Sequence, residues 1–302
     1  MTSVGSLGPY LPPILIGWIF GVAARLLVMQ VDYRAYPSYP AGYTVHLGLG
    51  VIAALVGAVA IPALADKQFT AVTFLLLVAT EFRQVRDMER KTLQGVDATE
   101  LIPRGEAYIE GIARTFEARY FLVIGVSALV STVTLVAGKG WGVVAGALAL
   151  GGTLLLRQGR RLGDYCDVRE SRITWDELGG LHVAGIYMLS VGLEQVRGEI
   201  DRWAVAVEVV PRGPAGQLIL SDPGQRQAIL HDVTHLFGYR FEVAEPEYVP
   251  MARKNLESGV LGIYLTPMRR DVPGILRAIR NVPVLERTRG GRRRQLPGGE
   301  RR

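Results

Sequence analysis

The sequence predicts a membrane protein with about five transmembrane α-helices followed by a cytosolic α/β domain. Three observations predict this fold class. Long apolar runs are confined to the region before residue 157, and Lys and Arg are unevenly shared among the short loops. After residue 181, strand-like and helix-like segments alternate, which is typical of an α/β layer, and a ferredoxin-like split βαβ unit is one arrangement that fits.

Five apolar runs make up most of the N-terminal half. A spanning helix needs about 20 residues, so the second and fourth runs are long enough alone, and the first and fifth are long enough with their flanks. Charges at Glu81 and Arg83 interrupt the third, for which a re-entrant segment is the alternative. In chain order the runs are Ile14–Met29, Tyr43–Leu64, Phe69–Phe82, Tyr120–Ala137 and Trp141–Leu156.

The basic residues predict the orientation of these helices. The segment between the third and fourth runs carries seven Lys or Arg, whereas the turn after the fourth carries only Lys139 and the loop after the second only Lys67. Short loops rich in Lys and Arg remain in the cytoplasm. We therefore expect a multi-pass protein of the bacterial cell membrane, with its N-terminus outside and all residues after 157 in the cytosol.

The expected domain organisation follows from these runs and from the charge distribution. Seven Arg and one Glu in the C-terminal tail equal the whole net charge of +6, so the rest of the chain is neutral and is not a nucleic-acid-binding body. The tail is expected to be disordered; anionic lipid is its candidate partner, and a solvated tail without a role is the alternative. The expected regions are 1–80 (transmembrane helices 1–3), 81–119 (a cytosolic charged helical hairpin), 120–156 (transmembrane helices 4–5), 157–180 (a linker), 181–286 (the α/β domain) and 287–302 (the basic tail).

The hairpin contains one stripe of Arg and one stripe of Glu. At the helical period, three Arg side chains fall on one strip of the first helix and three Glu side chains on one strip of the second. Carboxylates on one strip repel each other unless cations face them, so the stripes predict two antiparallel helices joined by Arg–Glu pairs, with a further i,i+4 pair inside the second helix. This charge network comprises Arg83, Arg86, Arg90, Glu106, Glu110, Arg114 and Glu117.

Three carboxylates are candidate catalytic groups at the inner membrane face: Glu81, Glu89 and Glu110. Glu89 falls within the apolar side of its predicted helix and Glu81 at its edge, and burial of a carboxyl group raises its pKa. A purely structural charged scaffold is the alternative. Arg25 and His46 are polar groups at the ends of the first and second runs, and such groups are functional candidates unless they snorkel or form hydrogen bonds between helices.

Several sequence blocks resemble those of one protein family. Residues 108–113 read Tyr-Ile-Glu-Gly-Ile-Ala, and the further blocks are 82–83, 90–93, 224–232 and 283–286. Over residues 12–286 the chain resembles the YIEGIA family. The resemblance implies a multispanning membrane protein of endospore-forming bacteria that is associated with sporulation, and it suggests a protease controlled by a small partner protein. It supplies no catalytic residues.

The predicted α/β domain is read from local signals. Asp222 and Pro223 begin a helix that Gly238 ends. His231 and His235 have the spacing of two zinc ligands, but a solvated helix face accounts for them and no metal or other cofactor is expected. The predicted strands are Leu181–Ser190, Trp203–Val210, Gln217–Leu220, Gly259–Leu265 and Val282–Leu285, and the predicted helices Val191–Ile200, Asp222–Phe237, Pro250–Leu256 and Val272–Arg280.

These features lead to two hypotheses of function. The first is a sporulation-linked inner-membrane protein that acts through a cytosolic domain, which binds a protein partner. The second is a membrane protease with carboxylates at the inner face, regulated by a small partner protein. Transport is a third class, which the scarcity of polar residues at mid-membrane disfavours. The single cysteine, Cys166, lies among acidic residues that disfavour a thiolate nucleophile.

Overall fold

The computed structural model describes residues 8–32, 40–67, 69–98, 102–157, 160–240 and 249–285. These residues form two compact units, which we describe separately. The helical unit comprises Met1–Lys91 and Ile112–Gln158, and the α/β unit comprises Thr92–Gly111 and Gly159–Arg302. The predicted charged hairpin, 81–119, is therefore divided between the two units. The predicted basic tail lies outside the described residues.

Five helices account for most of the described residues in the N-terminal half of the chain. Three of them contain segments long and apolar enough to cross a membrane, namely Leu11–Met29, Thr44–Ala65 and Glu106–Ala137. The fifth has a shorter apolar stretch, Lys139–Leu155, and the third does not meet the criterion within the described residues. The structure is thus compatible with a membrane protein, and five spans remain a prediction. The helices are α1 (Leu11–Asp32), α2 (Pro40–Ala65), α3 (Phe69–Asp97), α4 (Glu106–Ala137) and α5 (Lys139–Arg157).

Small residues let the helices of the helical unit approach closely. A Cβ atom at Gly57 of α2 would lie within 3.0 Å of the Ile124 backbone of α4, so no larger residue fits there. The Ser127 hydroxyl of α4 lies 2.9 Å from the Gly17 carbonyl of α1 and 2.5 Å from the Ala54 carbonyl of α2. Apolar side chains gain little by leaving lipid, so close backbone packing and hydrogen bonds of this kind hold membrane helices together.

Within its described residues, the α/β unit contains two antiparallel sheets and four α-helices of its own. Its elements are β1 (Cys166–Ser171), β2 (Ile173–Trp175), β3 (Gly180–Val183), β4 (Ile186–Ser190), α6 (Glu194–Trp203), β5 (Val205–Pro211), α7 (Gly213–Ser221), α8 (Pro223–Phe237), β6 (Met251–Lys254), β7 (Leu261–Leu265) and α9 (Val272–Asn281).

The larger sheet has the strand order β1-β5-β7-β6, and the smaller one has the order β2-β3-β4. In the larger sheet β7 lies between β5 and β6 and is antiparallel to both. Strands β5 and β6 are therefore parallel, and the chain between them forms α7 and α8, which is the connectivity of a split βαβ unit. The remaining edge is occupied by β1, from the start of the unit. The predicted final strand, Val282–Leu285, makes only one isolated bridge, between Pro283 and Arg161.

The core of the α/β unit lies on both faces of the larger sheet. All five residues of β7 are buried, as expected for a central strand that is covered on both sides. A cluster between the smaller sheet and α6 includes Leu181, Met188 and Ile200, together with Tyr264 from β7. Helices α8 and α9 bury further apolar side chains, among them Ile229 and Ile275. The result is a layered α/β unit in which α8 is largely buried and exposes His235 and Leu236 in its last turn.

Besides the final strand, two predicted elements of the α/β domain are wrong. The apolar run Gln217–Leu220 belongs to helix α7, because Gly213 adopts a φ of +79° and Pro214 then starts a helix that buries Gly216, Ile219 and Leu220. Spacings of three and four residues are helical, but a four-residue apolar run does not reveal them. The predicted helix Pro250–Leu256 is instead strand β6, which pairs with β7.

Other predicted boundaries differ from the structure. The predicted strand Leu181–Ser190 is a hairpin of β3 and β4, turned at Ala184 and Gly185 with φ values of 52° and 73°. Strands β1 and β2 occupy the predicted linker 157–180, where exposed charges such as Arg169 and Glu170 hide the alternation of buried Cys166 and Val168. The capped helix from Asp222 is confirmed: the Asp222 carboxylate accepts a hydrogen bond from the Gly224 amide at 3.0 Å.

Candidate functional site

Four polar side chains meet inside the helical unit, and each comes from a different helix. They are Arg25 of α1, His46 of α2, Glu89 of α3 and Tyr120 of α4, and we call them the polar cluster. Arg25 and Tyr120 are 0% and 1% exposed, and His46 and Glu89 are 8% and 7% exposed. Among the residues that sequence reasoning selected, Arg25, His46 and Glu89 are therefore neighbours.

The polar cluster is joined by short contacts around the imidazole of His46. Its Nδ1 atom lies 3.1 Å from the Tyr120 hydroxyl and 3.5 Å from Glu89 Oε1. The Arg25 guanidinium donates one hydrogen bond to the His46 carbonyl, with Nε–O 3.4 Å, and another to the Tyr120 hydroxyl. Its Cζ atom also lies 4.7 Å from the centre of the Tyr120 ring. Hydrogen bonds thus connect α1 to α2 and α4, and the contact between His46 and Glu89 connects α2 to α3.

Two apolar features fix the geometry of the polar cluster. The Phe116 ring stacks on His46 with a centroid distance of 4.8 Å and an interplanar angle of 14°. Gly50, one turn beyond His46 in α2, leaves the space that the Arg25 side chain occupies. A Cβ atom at Gly50 would lie 2.9 Å from Arg25 Cδ and 3.2 Å from Arg25 Nε. The arrangement therefore depends on a glycine at this position.

The three candidate carboxylates have different environments. Glu81 is exposed, Glu110 is half-buried and Glu89 is buried. Burial raises the pKa of the Glu89 carboxyl to about 7, and the charge of Arg25 partly opposes this shift. A carboxyl group with a pKa close to neutrality exchanges its proton under physiological conditions, which is a property of functional sites. Of the three carboxylates, Glu89 has the buried environment that is typical of a catalytic acid or base.

In the described part of the chain, the predicted charge network includes a pair between its two stripes. Arg86 Nη1 lies 3.6 Å from Glu117 Oε2, and both side chains are partly exposed. The side chain of Arg83 lies outside the described residues, and Arg90 and Glu106 are exposed. The Arg86–Glu117 pair joins α3 to α4 about one turn from Glu89.

In the α/β unit, three of the sequence blocks that resemble one family pack together. The Tyr108 hydroxyl lies 3.4 Å from Asp232 Oδ1 of α8. The buried Gln225 side chain donates to the Pro283 carbonyl at 3.0 Å and accepts from the Leu285 amide at 2.9 Å. Gly111 faces Leu285, because a Cβ atom there would lie 3.2 Å from Leu285 Cδ1. The blocks 108–111, 224–232 and 283–285 are therefore in contact with one another within the α/β unit.

The two histidines of α8 are arranged as stacked rings. Their centroids are 5.9 Å apart with an interplanar angle of 7°, and His235 is exposed whereas His231 is only 7% exposed. The expectation that both face solvent is thus wrong for His231, whose ring lies against Tyr108. Among the described residues, no group of three or more His, Cys, Asp or Glu side chains has the geometry to hold a metal ion.

The last turn of α8 and the segment before α9 present exposed apolar and basic side chains. Leu236 is 67% exposed and Met268 is 62% exposed, and Met268 covers Gly238, where a Cβ atom would lie 3.1 Å from Met268 Cγ. Arg269 and Arg270 follow Met268 and are exposed. We call these four residues the α8–α9 surface. A nearby stack of Arg240 on Trp203, with Cζ 3.8 Å from the ring centre, borders it.

Sequence reasoning missed several residues of these sites. Tyr120 lies at the helical period of the apolar residues Ile112 and Phe116, which favours a core role, but a buried tyrosine hydroxyl usually has a hydrogen-bond partner, and this is the signal that could have found it. Burial raises the pKa of the Cys166 thiol to about 12. Burial, more than the neighbouring acidic residues, therefore disfavours the thiolate form of this cysteine. Gly50 and Gln225 carry no local signal of their roles.

Comparison with known proteins shows similarity to a protein family and to a bacterial relative. The model of a family described as "YIEGIA protein" matches residues 13–294. A relative from Bacillus subtilis (strain 168), "Uncharacterized protein YphB", is 38% identical over 278 residues, which cover 92% of this chain and 93% of the relative. No solved structure matches the chain. The chain therefore belongs to the YIEGIA family.

Proposed function

We propose that this chain is a multi-pass protein of the bacterial cell membrane whose α/β unit lies in the cytosol and acts by binding a protein partner. The observation that carries the proposal is the exposure of two large apolar side chains, Leu236 and Met268, on the α8–α9 surface. Exposed apolar groups rimmed by polar residues are typical of protein interaction sites. The N-terminus outside and the basic segments inside follow from the Lys and Arg distribution.

The charges of the α8–α9 surface describe the partner that would fit it. Arg269 and Arg270 are exposed beside Met268, and Arg270 Nη1 donates to the Arg202 carbonyl at 3.2 Å, which keeps it in place. Opposite charge across an interface speeds association and selects partners. We expect the partner to present apolar side chains flanked by Asp or Glu.

A photo-reactive amino acid in place of Met268 tests this proposal in cells that produce the full-length protein. We expect one main cross-linked protein at this position. The matched control is the same replacement at Leu256, which is 92% exposed but lies in the turn before β7, at the opposite end of that strand from Met268. Equal cross-linking at both positions, or at neither, would contradict docking at the α8–α9 surface.

The resemblance to the family also supports a role in sporulation, which is part of the proposal. Deletion of the gene should lower the number of heat-resistant spores and leave vegetative growth unchanged. A gene copy that encodes Met268→Glu should restore spores poorly, whereas one that encodes Leu256→Glu should restore them. A deletion strain that forms normal numbers of heat-resistant spores would refute this role.

A membrane protease controlled by a small partner is the second candidate function. The observation that favours it is Glu89, a buried carboxyl group whose pKa is raised to about 7 by burial. A general acid or base with this pKa is suited to peptide hydrolysis at neutral pH. Glu89→Gln should then abolish cleavage of a cellular protein and leave cross-linking at Met268 unchanged. Unchanged cellular proteolysis in the Glu89→Gln strain would eliminate this function.

A further inference from the structure

The polar cluster has the composition of a proton site. One carboxyl group, Glu89, is faced by a cation from α1, an imidazole from α2 and a phenol from α4. On its own helix the nearest resolved ion pair, Arg86–Glu117, is partly exposed. Arg25 disfavours a second cation on the adjacent imidazole, because like charges at short range repel in a low-dielectric interior. The exchangeable proton is therefore held by the carboxyl group.

The limited access to the polar cluster restricts the ligand that it can take. The side chains of His46 and Glu89 are 10% and 9% exposed, whereas Arg25 and Tyr120 are closed off almost completely. Openings of this size admit water and protons. No group of three metal-ligating side chains is present in the described part of the chain. A proton is the ligand that fits both the chemistry and the access.

We propose that the polar cluster reversibly binds one proton at Glu89, a property independent of partner docking. On release, the carboxyl O–H bond breaks, the proton passes to water and the electron pair remains on the carboxylate. The negative charge then faces the Arg25 guanidinium, which balances it. On binding, the neutral carboxyl group can donate to His46 Nδ1, which is already 3.5 Å from Oε1. Because the four side chains come from four helices, the two states differ in the forces between α1, α2, α3 and α4.

Infrared titration of the full-length protein in lipid nanodiscs tests this proposal. The absorbance of protonated carboxyl groups is followed between about pH 5 and pH 9, where ordinary exposed carboxylates, with pKa values of about 4, are already ionised. We expect one glutamate component that disappears with a midpoint within about one unit of pH 7. Isotope labelling of glutamate assigns this component in the unmodified protein, so the result does not depend on a variant that folds.

Three variants complete the experiment. Glu89→Gln should remove the component, and Glu117→Gln, which alters a partly exposed carboxylate on α4, should leave it in place. Arg25→Gln should strengthen proton binding at least about tenfold, because loss of an opposite charge favours the neutral carboxyl group. A component that survives in Glu89→Gln, or the absence of any glutamate that titrates near neutrality in the labelled protein, would overturn the proposal. An unchanged midpoint in Arg25→Gln would also contradict it.

Discussion

At the scale of single residues, the structure shows how one glycine makes room for one buried charge. Arg25 reaches His46 and Tyr120 across the space that Gly50 leaves open in α2. Burying a guanidinium is costly unless it is paired and hydrogen-bonded. The small residue and the polar partners are thus parts of one arrangement, and disturbing either should cost stability.

Gly50→Ala tests this arrangement against Gly48→Ala in the same helix. A methyl group at Gly50 meets Arg25, and such overpacking should lower the free energy of unfolding by about 1–3 kcal/mol. A Cβ atom at Gly48 meets nothing within 4 Å, so alanine there should be neutral or stabilising by up to about 1 kcal/mol. Thermal unfolding in detergent measures both. Equal effects of the two substitutions would contradict the role of Gly50.

Glu89 makes the stability of the helical unit depend on pH. Burial raises the folded-state pKa of Glu89 from 4.5 to about 7, so the folded state binds more protons than the unfolded state between these values. Stability should therefore fall as pH rises from about 4.5 to about 7 and then level off, with a loss on the order of 2–3 kcal/mol from this group.

The measurement is the unfolding midpoint at several pH values. Glu89→Gln should flatten the dependence in this window, and Glu117→Gln should preserve it. A carboxyl group with a raised pKa predicts that stability falls as pH rises. A steady rise in the stability of the wild-type protein between about pH 5 and pH 7 would contradict this expectation.

At the scale of elements, local signals predict some helices and strands and tertiary pairing decides others. Helix α8 begins at Pro223, directly after the capping residue Asp222, and it ends at Phe237, before Gly238 with its φ of +62°. Both signals are local in the sequence. Strand β6 becomes a strand because it pairs with β7, which no local signal in Met251–Lys254 reveals. The same limit applies to the polar cluster: the burial of Glu89 follows from its helical period, but its meeting with Tyr120 depends on how α3 and α4 pack.

The ion pair between α3 and α4 gives a charge-reversal test. Arg86→Glu places two carboxylates opposite each other and should lower the free energy of unfolding by about 0.5–1 kcal/mol, because the pair is partly exposed. Adding Glu117→Arg should restore most of the loss, and adding the exposed Glu106→Arg should restore none. Double-mutant cycles of thermal unfolding measure the coupling. Rescue by Glu106→Arg instead of Glu117→Arg would show a different register of the two helices.

At the scale of the whole molecule, the apolar helices and the basic segments together predict a topology. Three segments are long and apolar enough to cross a membrane, and α3 and α5 decide whether the number of crossings is three or five. Helices α3 and α4 contribute residues to both units.

Reporter fusions test the predicted five-span topology. Reporters fused after Gln94 and after Glu170 should both be active in the cytosol, because basic segments adjoin these positions. A reporter at Lys139, between α4 and α5, should be active outside. A cytosolic signal at Lys139 would contradict the five-span topology.

The measurement that tests the central claim most directly is the affinity between the partner cross-linked at Met268 and the purified full-length protein in nanodiscs. Leu236→Glu with Met268→Glu should weaken binding at least about tenfold, or about 1.4 kcal/mol, because two exposed apolar contacts are lost. Leu256→Glu, which changes a still more exposed leucine in the turn before β7, should keep the wild-type affinity. Equal affinity of all three proteins for the partner would contradict docking at the α8–α9 surface.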